Sequence, residues 1–398
     1  MFEGKTIVLG VTGSIAVYKA AELVREYQKR GADVHVVMTR SACEFVGPVT
    51  FETLTGHKVS VETFDRNFQW NVQHVALAKR GDVFVIAPAT ANIIAKMASG
   101  IADDMLSSTV LAARCPKLVA PAMNTGMYDN PATQRNLETL RGFGVQIVEP
   151  GVGMLACGDE GRGRLADLED LVDATYYAMT VQKPLAGRRV VVTAGPTREA
   201  LDPVRYVSNH STGRMGYEMA RAALALGARE VTLISGPTAL RAPYGVRMVP
   251  VVSAREMESA VLAALPQADL LVKAAAVGDF RPASVADQKI KKGEGGLTVD
   301  LVKNPDILAE ACAARQPGQV IVGFAMETQD LIANARAKLE KKGADMIVAN
   351  SLTEEGAGFG GETNVASLLT ASGVEKLPKM SKLALSEEIL RRAAGMIL

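Results

Sequence analysis

Val190-Val191-Val192-Thr193-Ala194-Gly195-Pro196-Thr197 runs from an apolar triplet into a Gly/Pro turn near the middle of the 398-residue chain. An unbroken β-branched run marks a buried strand, and Gly195-Pro196 stops it. A polar loop follows, with Arg198, Glu199, Asp202, Arg205, Asn209 and His210, and Ser211-Thr212-Gly213 then opens a stretch of helical spacing. Strand, polar loop and helix start together hold anions, because the first N–H groups of a helix lack intrahelical partners. Such a start this far from the N-terminus implies two machines in one chain.

The other start is at the N-terminus. Ile7-Val8-Leu9-Gly10 reads as a buried strand, Val11-Thr12-Gly13-Ser14 as a turn, and residues 15–30 as a helix closed by Gly31, with the next strand over 34–38. This is a mononucleotide-binding unit in outline. It lacks GxGxxG, and Thr39-Arg40-Ser41 stands where a dinucleotide site would carry an acidic residue. A basic, hydroxyl-rich strand end suits a phosphate better than a ribose diol, which favours FMN over NAD and disfavours a nicotinamide dehydrogenase.

The bulk numbers agree with two globular domains. A chain of 398 residues exceeds one ordinary core, and 48% hydrophobic with 22% charged residues fits a globular protein. A net charge of +1 gives no whole-chain reason to bind nucleic acid or an acidic membrane. Cys43, Cys115, Cys157 and Cys312 are scattered without a CxxC pair, against a disulfide framework or a zinc site. The N-terminus runs straight into a strand, and no apolar run is long enough to span a bilayer, so a reducing, cytoplasmic setting is expected.

Further along, strands over 83–87 and 117–120 end in the similar turns Pro88-Ala89-Thr90 and Pro121-Ala122-Met123-Asn124. In a parallel sheet both ends reach the edge where ligands bind. Between them a long helical region runs to Ala113 and carries Ser107-Ser108-Thr109. The edge is thus expected to gather Gly13, Ser14, Thr39, Arg40, Thr90, Ser107, Thr109 and Asn124, which suit a phosphate and a flat heterocycle. His74 is a possible base, although a lone histidine is more often structural. Residues 151–164 hold five glycines around Cys157 and read as a mobile, irregular flap. A lone cysteine is more often a small buried residue, but this setting argues against burial.

Residues 181–189 are short and polar with Pro184 and Gly187, and divide the chain into expected domains 1–187 and 188–398. Strands over 190–193, 231–234, 270–276, 320–324 and 346–350 restart the β–α–β grammar. Residues 287–301 read as a basic, glycine-tipped flap around Lys289-Ile290-Lys291-Lys292. Lys338 and Lys342 share one helix face. Taken alone, Lys289-Ile290-Lys291-Lys292 reads more readily as a solvated hairpin, and Lys338 and Lys342 equally as ordinary helix surface.

Longer motifs carry a resemblance. GSIAVYK (13–19), PAMNTGM (121–127) and ACGDEGRGR (156–164) resemble the flavin-dependent cysteine decarboxylase family. TAGPTREALDPVRYVSNHSTGRMG (193–216), AAAVGDFRP (274–282), KIKK (289–292) and VKNPDIL (302–308) resemble phosphopantothenate–cysteine ligase. In this order, over nearly the whole chain, they are similar to the bacterial bifunctional coenzyme A biosynthesis proteins, in which phosphopantothenoylcysteine decarboxylase is fused to the ligase.

That resemblance implies two Rossmann-like α/β domains: an N-terminal flavodoxin-like flavoprotein fold and a C-terminal Rossmann-like ligase fold with a basic flap. It implies FMN in the first, with Cys157 as proton donor, Asn124 on the substrate carboxylate and His74 as an active-site histidine. In the second it implies CTP as co-substrate with Mg2+ or Mn2+. CTP-binding positions map to Asp279, Lys289, Pro305, Asp306, Ile307, Leu308, Phe324, Lys338 and Lys342. Asn209 maps to the residue needed for an acyl-cytidylate to react onward, and Arg205 and His210 to the substrate phosphate and pantoate end. Partners are small molecules (4′-phosphopantothenate, L-cysteine, CTP), not nucleic acid or membrane. Trimers of the first half and dimers of the second imply a dodecamer. Thr212 stands where the pattern usually has Ser and keeps the hydroxyl; Gly278 replaces the usual Ala. The alternatives are a flavin-binding regulatory protein or a peptidyl-cysteine decarboxylase on the same N-terminal fold, neither of which needs residues 188–398.

Overall fold

Fully buried apolar runs must pair with one another and be covered on both faces, and the computed structural model shows how. It describes residues 1–64, 73–155, 158–292, 296–327, 330–351 and 361–397. Its contacts divide the chain into two units, Met1–Val181 and Gln182–Leu398.

In the first unit five parallel strands lie in the order Asp33–Met38, Thr6–Val11, Val83–Ala89, Lys117–Pro121, Gln146–Ile147. This is the flavodoxin-like order, and its crossovers diverge between Thr6–Val11 and Val83–Ala89. Val83–Ala89 is buried along its whole length, as a sheet covered on both faces requires. Helices Val17–Lys29 and Leu168–Met179 cover one face, joined by a 2.8 Å hydrogen bond between the buried hydroxyls of Tyr27 and Thr175. Ala91–Ser99, Met105–Ala112 and Pro131–Gly142 cover the other, packing Ile93, Ile94, Leu106 and Leu137 on Phe84 and Ile86.

Two local expectations are corrected. The helical region before Ala113 is two helices. Gly100 ends the first with a left-handed cap, and Asp104 starts the second in a capping box with Ser107. The two ends of the 151–164 segment are not irregular; Gly151–Met154 pairs antiparallel with Glu160–Arg164. Gly153 and Gly163 have φ of 149° and 143°, backbone that only glycine takes cheaply, so the glycines allow this ladder rather than prevent it.

In the second unit the sheet order is Arg247–Pro250, Glu230–Ser235, Arg189–Ala194, Leu270–Lys273, Val320–Glu327, Met346–Ser351, Ala366–Thr370, Gly373–Lys376. The first six strands are parallel, in Rossmann order, and the last two form an antiparallel edge. The crossovers diverge between Arg189–Ala194 and Leu270–Lys273. Helices Arg214–Ala225 and Lys382–Ala394 bury Tyr217, Met219, Leu385 and Ile389 on one face. Ala254–Ala264, Ile307–Ala314 and Leu331–Lys342 bury Met257, Ile307 and Leu339 on the other. Part of the expected linker packs with this unit: Leu185 is fully buried in its core, and the Lys183 ammonium donates to the Ala225 carbonyl at 2.7 Å. Among the described residues no helix is long and apolar enough to cross a membrane.

Buried threonines hold the strand ends together where the crossovers diverge. Thr12 Oγ1 donates to the Pro88 carbonyl at 2.7 Å and accepts the Thr90 N–H at 3.0 Å. Thr193 Oγ1 accepts the Ala275 N–H at 3.1 Å, and Thr197 Oγ1 the Gly278 N–H at 2.9 Å. All three threonines are buried, so removing the hydroxyl leaves a backbone group unpaired. Thr12→Val and Thr197→Val should each lower the unfolding free energy by about 1–3 kcal/mol, measured by chemical denaturation of the full chain.

Candidate active sites

The carboxyl edge of the first sheet opens into a cavity of about 570 Å3, lined by Thr12, Gly13, Thr39, Thr90, Lys96 and Phe64 among others. That volume lies within the range of small-molecule sites, about 300–1,000 Å3. A Cβ on Gly13 would lie 2.5 Å from that of Ser41, so only glycine lets these two loops meet. Thr39 and Thr90 each cap a helix at the cavity wall, accepting the N–H groups of Ala42 and Ile93. Ser14 sits in the same turn as Gly13, its Oγ accepting the Ala16 N–H at 3.3 Å.

The structure does not bring Ser107 and Thr109 to this cavity. Both are buried; the Ser107 hydroxyl is engaged with Asp104, and that of Thr109 donates to the Met105 carbonyl at 2.6 Å. The two cations of the cavity wall are already paired, Arg40 with Glu62 at 2.7 Å and Lys96 with Asp103 and Asp104 at 2.6 and 2.9 Å. The Arg40–Glu62 pair is exposed, and such a pair is worth only about 0–1 kcal/mol, so an incoming phosphate can exchange for that carboxylate at little cost.

The hairpin packs on the Pro121–Asn124 turn. The Met123 N–H donates to the Gly163 carbonyl at 3.0 Å, and the Asn124 amide donates to Asp159 at 2.9 Å. A Cβ on Gly163 would lie 2.1 Å from the Met123 carbonyl oxygen. Asn124 also accepts the Gly126 N–H at 2.8 Å, which orients its amide. Cys157, between the two hairpin strands, lies outside the described residues. His74 is half-buried on helix Gln73–Arg80, where neighbouring Gln73 donates to the Ser60 hydroxyl.

In the second unit the flap is tied to the loop after Pro196. Its base is zipped by Phe280–Pro282 pairing antiparallel with Leu301–Lys303. Arg205 donates to the Ile290 carbonyl at 2.8 Å, and the Ile290 N–H donates to Asp202 at 3.1 Å. Arg205, expected at a substrate phosphate, therefore also spans the loop and the flap, beside exposed Lys289. Its bond to buried Asp202 holds that carboxyl far below the usual carboxylate range, helped by the N–H groups of Val204, Ile290 and Arg205 against the opposing effect of burial. Asn209 is exposed, and its amide donates to the carbonyls of Ala276 and Val277 at 3.1 and 3.3 Å. His210 is exposed beside it.

The expected nucleotide residues divide between the two faces of the sheet. Asp306 caps helix Ile307–Ala314 and pairs with Lys342. Pro305 is half-buried before this cap, while Ile307 and Leu308 are core residues that fix it in place. The Lys338 ammonium donates to the Phe324 carbonyl at 2.8 Å. The Phe324 side chain itself packs with the core of the opposite face. Sequence reasoning missed Lys273, which ends an apolar strand and offers no motif. Strand alternation turns it toward the face that carries Asp306, Lys338 and Lys342. Burial pushes its ammonium down to about 8; Lys338 and Lys342 push the same way, and Asp306 and Asp279 oppose them. A cluster of lysines partly neutralised by two carboxylates suits a polyanion.

Residues 1–180 match the family described as Flavoprotein, and residues 185–396 the DNA/pantothenate metabolism flavoprotein C-terminal domain. The chain is 47% identical over 400 residues to the Coenzyme A biosynthesis bifunctional protein CoaBC of Bacillus subtilis, covering 100% of this chain and 98% of that protein. It is 44% identical over 390 residues to the protein of the same name from Escherichia coli, covering 97% and 96%. The crystal structure of the C-terminal domain of a Coenzyme A biosynthesis bifunctional protein CoaBC is similar at 38% identity, covering 54% of this chain and 98% of that one, with a TM-score of 0.46.

Gly163→Ala should lift the hairpin from the turn beneath it, read as faster amide exchange at Met123 with exchange in helix Val17–Lys29 unchanged. The Asp202 tie has a defined pH window. Its native pKa is depressed, so the stability it supplies is whole above the unfolded value of about 4 and declines as pH falls below that toward the lowered native value. Exchange at the Ile290 N–H should therefore be flat with pH, after correction for intrinsic rates, until acid conditions, and Asp202→Asn should remove the acid-dependent rise.

Proposed function

The chain belongs to the family of coenzyme A biosynthesis bifunctional proteins, and from that premise we propose how its two units divide the work. It is an enzyme with phosphopantothenate–cysteine ligase and phosphopantothenoylcysteine decarboxylase activities. The observation that carries this reading is the full-length similarity, 47% over both units in the same order. The second unit, matched over residues 185–396, has no place in a flavin-binding regulator or a peptidyl-cysteine decarboxylase.

In the ligase half the carboxylate of 4′-phosphopantothenate is a poor electrophile until a nucleotide activates it. We propose CTP, giving an acyl-cytidylate and pyrophosphate. Lys338, Lys342 and Lys273, with the loop Pro305 to Leu308 and Phe324, would receive the nucleotide, and Lys289 would close over its phosphates from the flap. Asn209 would sit beside the acyl-cytidylate, and Arg205 and His210 toward the phosphopantothenate. A Mg2+ or Mn2+ ion fits an exposed carboxylate such as Asp279 together with substrate phosphates, the way Mg2+ is commonly held.

In the decarboxylase half the hydroxyl- and glycine-lined cavity fits FMN, with Gly13, Ser14, Thr39 and Thr90 at its phosphate. The buried Ser107 and Thr109 would support that wall rather than touch the ligand. Flavin, when bound, supplies reversible two-electron oxidation of the thiol-bearing carbon, which makes loss of CO2 possible. The chain's own residues handle the carboxylate and the protons. Asn124 would orient the carboxylate, His74 would act as base, and Cys157 would protonate the enethiolate carbon, under a hairpin that excludes water. The trimer and dimer contacts of a dodecamer complete the proposal, and sedimentation at twelve chain masses would support it.

Supplying 4′-phosphopantothenate, cysteine and CTP to the yellow protein should yield CMP, pyrophosphate, CO2 and 4′-phosphopantetheine; a colourless protein that leaves CTP intact would overturn the reading. Cys157→Ser should still release CO2 but accumulate the enethiol, detected by mass spectrometry. CTP affinity should weaken as pH rises through about 8, where the Lys273 ammonium loses its proton. Lys273→Met should flatten that part of the profile.

A further inference from the structure

The first unit carries a second group of chemistry-bearing side chains, which the reactions above do not use. Asp33 and His35 alternate on the edge strand Asp33–Met38, so both side chains leave it on one face. They stand near the amino end of that strand, whereas the cavity with Thr39 lies beyond its carboxyl end. His57 is brought to them by the backbone. Helix Pro48–Thr55 ends in a left-handed Gly56, and the His57 N–H donates to Thr55 Oγ1 at 3.1 Å. The chain then runs parallel to the edge strand: the Ser60 N–H donates to the Val36 carbonyl at 3.1 Å, and the Ser60 carbonyl accepts the Met38 N–H at 2.9 Å.

The two imidazoles stack, with 4.0 Å between centroids and 12° between planes. Each turns its Nε2 to one oxygen of the same carboxylate. His57 Nε2 lies 2.6 Å from Asp33 Oδ1, and His35 Nε2 lies 3.1 Å from Asp33 Oδ2. His35 is 5% exposed, Asp33 is exposed and His57 is half-buried, so the group is anchored in the protein and open to solvent on one side. The hydrogen bonding at His35 is in conflict. Its Nε2 is also 3.3 Å from Nη1 of Arg80, an exposed residue at the end of helix Gln73–Arg80. A guanidinium only donates and an ionised carboxylate only accepts. With a proton on Nε2, His35 serves Asp33 and opposes Arg80; without it, the reverse holds. A cation that takes a lone pair from each imidazole and from the carboxylate removes this conflict once Arg80 swings out to water.

We propose that Asp33, His35 and His57 form a site for a transition-metal dication of the zinc class, with water in the remaining positions. The three ligand atoms all lie within 4.8 Å of one another. Metal–ligand bonds of about 2.0–2.2 Å put tetrahedral neighbours roughly 3.3 Å apart, so side-chain rotation closes the set without moving the strand. Two imidazole nitrogens favour Zn2+, Co2+ or Ni2+ over Mg2+ and Ca2+, which take oxygen ligands. The site therefore differs in kind from the Mg2+ or Mn2+ proposed with the nucleotide. The segment that carries His57 continues into Val61, Glu62, Thr63 and Phe64 on the wall of the first cavity. The ion would fasten that segment to the edge strand, as a structural clamp rather than a participant in either reaction.

Co2+ is the probe, because its d–d absorption in a nitrogen-containing tetrahedral site lies at longer wavelength than that of flavin. The full chain, purified with its flavin and without an affinity tag, is cleared of metal by a chelator and titrated with Co2+ in the absence of nucleotide. It should take up one Co2+ per chain with a visible d–d band, and Zn2+ should displace it. His57→Gln and Asp33→Asn should each weaken this binding at least tenfold, since losing even the outer partners of a metal ligand costs about 10–100-fold. Arg80→Met should tighten it. Zn2+ should raise the melting temperature of the unmodified protein and not that of His57→Gln. Unchanged far-ultraviolet circular dichroism shows that a variant has folded; were His57→Gln to fail there, Asp33→Asn reads the same affinity. A d–d band and affinity in His57→Gln equal to those of the unmodified protein would overturn the proposal by giving the ion to other ligands. No band from the unmodified protein at micromolar Co2+ would overturn it as well.

Discussion

Three buried threonine hydroxyls hold the chemistry-bearing loops in place. A parallel sheet whose crossovers run to opposite sides leaves a gap between two strand ends, and the backbone there has lost its ladder partners. Thr12 closes that gap in the first unit by bonding Pro88 and Thr90, and Thr193 and Thr197 close it in the second by bonding Ala275 and Gly278. The satisfied groups are buried and the cavities begin beside them. The same solution serves two sheets of different strand order.

Each edge is then covered by a segment that does not belong to the main sheet. In the first unit it is the Gly151–Met154 and Glu160–Arg164 hairpin, brought against Met123 by the missing side chain of Gly163. In the second it is the basic flap, zipped at its base and tied by Asp202, Arg205 and Ile290. Both covers are anchored at their bases through backbone or buried groups. This keeps the covers in register over the sheet edges.

The electrostatics follow one pattern in both units. Arg40, Lys96 and Lys342 hold carboxylates at or near the cavities, and Lys338 holds a backbone carbonyl. The exposed Arg40–Glu62 pair is weak enough to be exchanged for phosphate oxygens. Lys273 differs because burial rather than a partner sets its charge, and that couples it to pH.

The sequence by itself determined the two α/β units, the strands and the turns that carry function. Apolar runs ending in Gly or Pro are local signals, and long motifs such as residues 193–216 are legible without contacts. Composition was misleading at residues 151–164, where glycines read as irregularity form a ladder, because φ near 145° is tolerated only by glycine and has no signature in a one-dimensional pattern. Which polar residues share a site was decided by the tertiary structure. Ser107 and Thr109 sit in a promising hydroxyl cluster yet turn to their own helix, while Lys273, a plain residue at the end of an apolar strand, reaches the ligand edge. Strand alternation and sheet order make that choice: they set which face a side chain joins, and they bring together residues far apart in the chain.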